Sequence, residues 1–205
     1  MRPVFVRVCL LVCLIGSVLP PVFATDRIPS EPDVAVVLDF KGAWSPVTIQ
    51  AMEREASQII GVSGIRLGWT SPADAVHSTF ANLVVMRFRG SCNYVPNAGA
   101  DQPGPYASTR TTNGEVQPFG DVDCDRVSSS VHAAMFGGDY ANPAMLVGRA
   151  LGRVVAHELV HMLTKSNRHS AEGVQKAALS GQELIMASLP LSAGDVDRLI
   201  LTRRN

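Results

Sequence analysis

The stretch from Asn142 to Thr164 leaves the chain little choice of conformation. Asn142 is a strong helix N-cap, Pro143 suits the first helical position, and no further proline occurs before Pro190. Gly148 and Gly152 each weaken such a helix slightly, because glycine surrenders more backbone freedom than other residues. Placed on a helix at about 100° per residue, Leu151, Val155, Leu159, Met162 and Leu163 gather on one side. His157 and His161 fall on the other, with Arg149 and Arg153 near one edge of that face. One side of this helix belongs to a core, and the other is free to face a cleft.

The polar side carries His157, Glu158 and His161 in the pattern H-E-x-x-H. Residues four apart lie one above the other on a helix, so the two imidazoles can reach a single ion. Zinc takes nitrogen ligands in a tetrahedron, and a rigid helical pair supplies two of the corners. Glu158 is turned away from both histidines, flanking the ion, where a carboxylate can take a proton from water. The third ligand should come from beyond the helix. His169 is the preferred residue, Glu172 is the next choice, and Glu183 lies farther along.

These residues resemble the active-site helix of zincin metallopeptidases, and a third histidine after the helix is similar to the metzincin pattern H-E-x-x-H-x-x-G-x-x-H. Thr164 stands where that pattern has glycine, Asn167 stands where it has histidine, and His169 follows two residues later. The chain must therefore leave the helix by another turn, expected at Ser166 and Asn167 because asparagine tolerates the left-handed conformation of a C-cap. Metzincins also carry a methionine turn beneath the metal. Met186 is the only methionine after the helix, but it falls in an expected helix and reads as a packing residue.

The start of the chain has the form of an export signal. Arg2 and Arg7 precede an apolar run from Val8 to Leu19, and Val22, Phe23 and Ala24 form a small-residue cleavage site. Residues 1–24 are thus expected to be removed, leaving a single domain over 25–205 with no stable membrane association. The whole chain has 18 basic and 18 acidic residues; loss of two arginines leaves 16 against 18, and no basic patch for nucleic acid emerges. Cys9 and Cys13 would leave with the signal, so Cys92 and Cys124 remain to pair in an oxidising compartment.

Elsewhere, Asp33 to Phe40 is an apolar run of strand length, as expected for a strand buried on both faces. Ser45 and Pro46 open a helical pattern through Ile60. Gly64 to Trp69 and Asn82 to Arg89 read as strands, the latter with Leu83, Val85 and Arg87 alternating against Val84, Met86 and Phe88. This βαβ start favours a partly parallel sheet. Between Ser91 and Cys124, glycines and prolines with Asp101, Glu115, Asp121 and Asp123 indicate an acidic, irregular or hairpin-containing loop. Val127 to Phe136 reads as a further strand, broken by Gly137 and Gly138. Ser180 and Glu183 form a capping box for a short helix through Ser188, and Ser192 opens another towards Leu201.

The expected fold is α+β: a zincin-like mixed sheet with a backing helix and a long active-site helix, followed by short C-terminal helices. The resemblance implies a secreted zinc peptidase acting on peptide or protein substrates, with Zn²⁺ held by His157, His161 and His169 and with Glu158 as general base. It also places a peptide-pairing edge strand at Ser128 to Ala134. His132 and Tyr140 are candidates to stabilise an oxyanion, and His77 reads as an ordinary histidine. An exported zinc-binding module that no longer cleaves is the alternative, although zinc retention alone has no need of Glu158.

Overall fold

The computed structural model describes residues 31–96, 104–135 and 140–204. The expected signal segment and the Gly137–Gly138 pair lie outside these. Strand β1, Val34–Phe40, is buried on both faces from Val34 to Leu38, as its continuous apolar run requires. Helix α1, Pro46–Gly61, starts where Ser45 accepts a hydrogen bond from the Thr48 amide at 3.2 Å. Strand β2, Leu67–Thr70, begins later than expected, because Gly64 sits in a turn at φ +80°. After the single turn of α2, Pro72–Ala75, comes β3, Leu83–Arg89, whose Val84, Met86 and Phe88 face the core.

The acidic stretch before Cys124 resolves into a hairpin. Strands β4, Ala107–Thr112, and β5, Glu115–Asp123, are joined by Asn113 and Gly114, both at positive φ, the conformation that a tight two-residue turn demands. The five strands form one mixed sheet in the order β2-β1-β3-β5-β4; every pairing is parallel except β4 with β5. A mixed sheet, partly parallel, combined with several helices is compatible with the expected α+β fold class. A disulfide joins Cys92 and Cys124, as expected, tying the end of β3 to the end of β5 with Cα atoms 4.8 Å apart.

One element differs in kind. The expected strand over Val127 to Phe136 is instead α3, Cys124–Ala134, an α-helix. Asp123 caps it by accepting from the Arg126 amide at 3.1 Å, and Cys124, Val127 and Val131 recur at helical spacing on its buried side. Two β-branched valines among small residues are compatible with a strand, but the cap and the apolar spacing decide otherwise. Strand addition at Ser128 to Ala134 falls with it, and the sheet edge on this side is β4.

Helix α4, Pro143–Thr164, is capped by Asn142 and lies against α1, β4 and β5. Gly148 and Gly152 are not mere weaknesses. A Cβ at Gly148 would come within 2.4 Å of the Thr48 carbonyl oxygen, and one at Gly152 within 2.7 Å of the Met52 carbonyl oxygen. The crossing with α1 is thus close enough to exclude any side chain at those two positions. Arg153 is fully buried here, with Nε 2.8 Å from Glu55 Oε1 on α1. Its remaining donors reach the carbonyls of Glu183 at 2.6 Å and Met186 at 2.9 Å. That engagement accompanies an early stop to α5, Gly181–Ile185, which was expected to run to Ser188. Helix α6, Ala193–Arg204, closes the described chain. Among the described residues no helix is long and apolar enough to cross a membrane.

Candidate metal centre

Two turns of α4 bring His157 and His161 side by side. The Nδ1–H of His157 donates to the Val174 carbonyl at 2.9 Å, and the Nδ1–H of His161 donates to the Ser166 carbonyl at 2.7 Å. A carbonyl can only accept, so each ring carries its proton on Nδ1 and presents a lone pair at Nε2. Those two Nε2 atoms are 3.1 Å apart. Two lone pairs at that distance repel unless a cation or proton lies between them. Two nitrogens on one tetrahedral ion at about 2.0–2.1 Å would be roughly 3.3 Å apart, which the pair already matches. Burial is the main cause that pulls both histidines below their ordinary pKa, favouring the neutral form that ligates.

The third histidine arrives by a local turn. Lys165, not Asn167, takes the left-handed C-cap position at φ 50°, and the Ser166 amide returns to the His161 carbonyl at 3.2 Å. His169 is then carried back over the helix face, with its ring centroid 5.2 Å from that of His157 and 4.9 Å from that of His161. Candidate ligand nitrogens of His157, His161 and His169 lie within 4.8 Å of one another, and among the described residues they form the one such group. Three imidazoles, two of them oriented through Nδ1, make a donor set that fits zinc and other borderline divalent ions.

Glu158 is 5 % exposed and projects towards the sheet edge. Thr109 on β4 donates its hydroxyl to Glu158 Oε2 at 2.5 Å. The register of β4 against β5 shifts between Thr109 and Thr111, an irregularity in the ladder beside the residue that meets Glu158. Burial raises the pKa of the Glu158 carboxyl and the Thr109 hydrogen bond opposes the rise. A cavity of about 650 Å³ opens beside Glu158 and His157, walled by Tyr106 and Ala107 on one side and Ala177, Ala178 and Leu179 on the other.

The other candidates lie elsewhere. Glu172 is exposed and outside the cluster, and Glu183 closes the capping box with Ser180 and pairs with Lys176. His132 rests on α3 with its ring 6.2 Å from that of Tyr94, Tyr140 packs on the core, and neither lines the cavity. His77 is exposed. Met186 is half exposed and ends α5, so it provides no floor to the site. Gln175 does: it is fully buried, with its amide nitrogen 3.0 Å from His161 Nε2. Sequence reasoning missed both Gln175 and Thr109. An alternating reading of Ala107 to Thr112 would put Thr109 on the inward side of a strand but not against Glu158, and nothing in the pattern around Gln175 marks it. No family model matches the chain, and no curated protein matches it.

Proposed function

We propose that the chain is an exported, zinc-dependent peptidase of zincin-like type. The observation that carries this reading is Glu158: a buried carboxylate at the mouth of a cavity, adjacent in sequence to one histidine of a converging trio. His157, His161 and His169 would hold the ion. Zinc bound there supplies a Lewis acid for the scissile carbonyl and draws the pKa of a water towards neutrality. Glu158 acts as general base. Thr109 holds its Oε2, leaving Oε1 to accept the proton of the attacking water and then to deliver it to the nitrogen of the departing amine as the C–N bond breaks.

The substrate side is supplied by the sheet edge. Among the described residues strand β4 pairs only with β5, so its other edge can take an extended peptide through main-chain hydrogen bonds. Ala107, Val154 and Leu179 give the adjoining cavity apolar walls for one substrate side chain. Export is supported by the disulfide, which is consistent with an oxidising compartment.

The test is turnover of a mixed peptide library by wild type and Glu158→Gln at matched zinc content. The substitution keeps size and hydrogen bonding but removes the base, so cleavage should fall by about 10²–10⁴-fold. Equal cleavage by the two would remove Glu158 from the mechanism. A zinc-loaded wild type that cleaves nothing across broad libraries would overturn the peptidase reading in favour of a non-catalytic zinc-binding module.

A further inference from the structure

The mechanism above leaves one buried polar group beside the histidines without a role. Gln175 is wholly shielded from solvent. Its Nε2 lies 3.0 Å from His161 Nε2 and 3.3 Å from His161 Nδ1. An atom nearly equidistant from both nitrogens of one imidazole cannot lie along either lone pair in the ring plane; it must sit over the face. The Nε2 lone pair of His161 is therefore left open for an ion, and the amide N–H groups meet the π cloud, a weak contact but a directional one. At the other end of the amide, Oε1 has no hydrogen-bond partner among the described residues.

The backbone holds this side chain in place. The Gln175 carbonyl accepts from the Ser170 amide at 2.8 Å, and the Val174 amide donates to the Pro190 carbonyl at 2.9 Å. Gly173 turns at φ +73°, and a Cβ there would lie 2.4 Å from the Pro190 carbonyl oxygen. The same short segment thus orients His157 through the Val174 carbonyl and reaches His161 through the Gln175 side chain. An Nδ1 bond alone fixes an imidazole at one edge and leaves it free to tilt about that bond. A second contact on the face removes the tilt.

We propose that Gln175 is a positioning residue of the metal centre, whose amide braces the His161 ring by its face and keeps Nε2 directed towards Nε2 of His157. An apolar side chain of the same length would fill the space without stranding a carbonyl, so mere packing gives no reason for the amide. The inference rests on the metal reading above and adds a residue to it.

The experiment compares wild type, Gln175→Met and Gln175→Ala by zinc competition against a chromophoric chelator, by the cobalt(II) absorption spectrum, and by thermal unfolding of the metal-free proteins. Loss of an orienting group of this kind costs about 10–100-fold in metal affinity. Gln175→Met should show that loss and an altered cobalt spectrum, while its metal-free form unfolds at the wild-type temperature or above it, since the stranded carbonyl is gone. Gln175→Ala should lose affinity at least as much. Wild-type affinity and spectrum in Gln175→Met would overturn the proposal, and so would an affinity loss matched by a lower metal-free unfolding temperature, the signature of packing. Failure of the wild type itself to bind zinc or cobalt would instead remove the metal centre, and this role with it.

Discussion

Replacing Arg153 by Met should cost the protein about 3 kcal/mol, a large share of the roughly 5–15 kcal/mol that holds a domain folded. The guanidinium is fully buried and serves three acceptors: Glu55 Oε1 at 2.8 Å and the carbonyls of Glu183 and Met186 at 2.6 and 2.9 Å. Burial pulls the Arg153 pKa down, and the Glu55 hydrogen bond pulls it back. Removing one partner of a buried ion pair typically costs about 3–5 kcal/mol, because the other charge and any stranded carbonyls lose their donors. Two features place this case at the lower end. The Glu55 side chain keeps 17 % exposure and can recover some water, and Arg149 already lies 3.9 Å from Glu55 Oε2 and 3.4 Å from the Met186 carbonyl. Urea unfolding of the metal-free protein, followed by circular dichroism, measures the difference. Adding Glu55→Met to Arg153→Met should restore part of the loss, since the unpaired carboxylate is then gone. A loss under about 1 kcal/mol for Arg153→Met, or no recovery in the double variant, would refute the reasoning.

The remaining expectations concern ligands, covalent constraint and acid. His169→Ala should weaken zinc binding far more than His77→Ala or His132→Ala in chelator competition; if Glu172→Ala strips the metal while His169→Ala does not, the third ligand is misassigned. Replacing Cys92 and Cys124 together by Ser should remove about 3–4 kcal/mol for a link spanning 32 residues in the chain-entropy model, and an unchanged urea midpoint would contradict this. Glu183 is held down to about 2 by Lys176 first and by the Ser180 amide second. A depressed carboxyl adds stability above its unfolded value near 4.5, and that stability is lost as pH falls towards about 2. Wild type should therefore exceed Glu183→Gln by about 1 kcal/mol at neutral pH, discounted for partial exposure, with the gap closing between pH 4.5 and 2. A gap that stays constant through that window would show that the pair is not the cause.

Local signals were read well where they were redundant. At Asn142 and Pro143 the cap, the proline and the apolar stripe agree, and α4 begins where they place it. Val34 to Leu38 and the alternation from Leu83 to Arg89 were equally plain. The segment after Asp123 carries two conflicting signals: its β-branched and small residues suit a strand, whereas the Asp123 cap and the spacing of Cys124, Val127 and Val131 suit a helix. The helix exit was placed two residues late, because Asn167 tolerates the left-handed region better than Lys165 yet Lys165 adopts it. Gathering of the three histidines followed from spacing along one helix and its exit. Thr109 was beyond reach for a different reason: it meets Glu158 across 49 residues of sequence, through a strand register and a shift in it that no local pattern specifies. Gln175 depends likewise on a turn anchored to the Pro190 carbonyl.

The contact between α1 and α4 determines which wall of the cleft is able to adapt. At Gly148 and Gly152 the helix bearing the histidines rests on the Thr48 and Met52 carbonyl oxygens and on the Cβ atoms of Ala51 and Glu55, with no side chain of its own interposed. Side chains can change rotamer to accommodate a guest, but a helix seated directly on another backbone has no such slack. His157 and Glu158 therefore stand on a fixed bench. If the cavity takes peptides as proposed, accommodation of different shapes falls to the opposite side, where Gly104 to Ala107 and Ala177 to Leu179 line the cavity from segments outside α4. Breadth of substrate choice would then be altered by changes in those two short segments, and the spacing of the metal ligands would be left as it is.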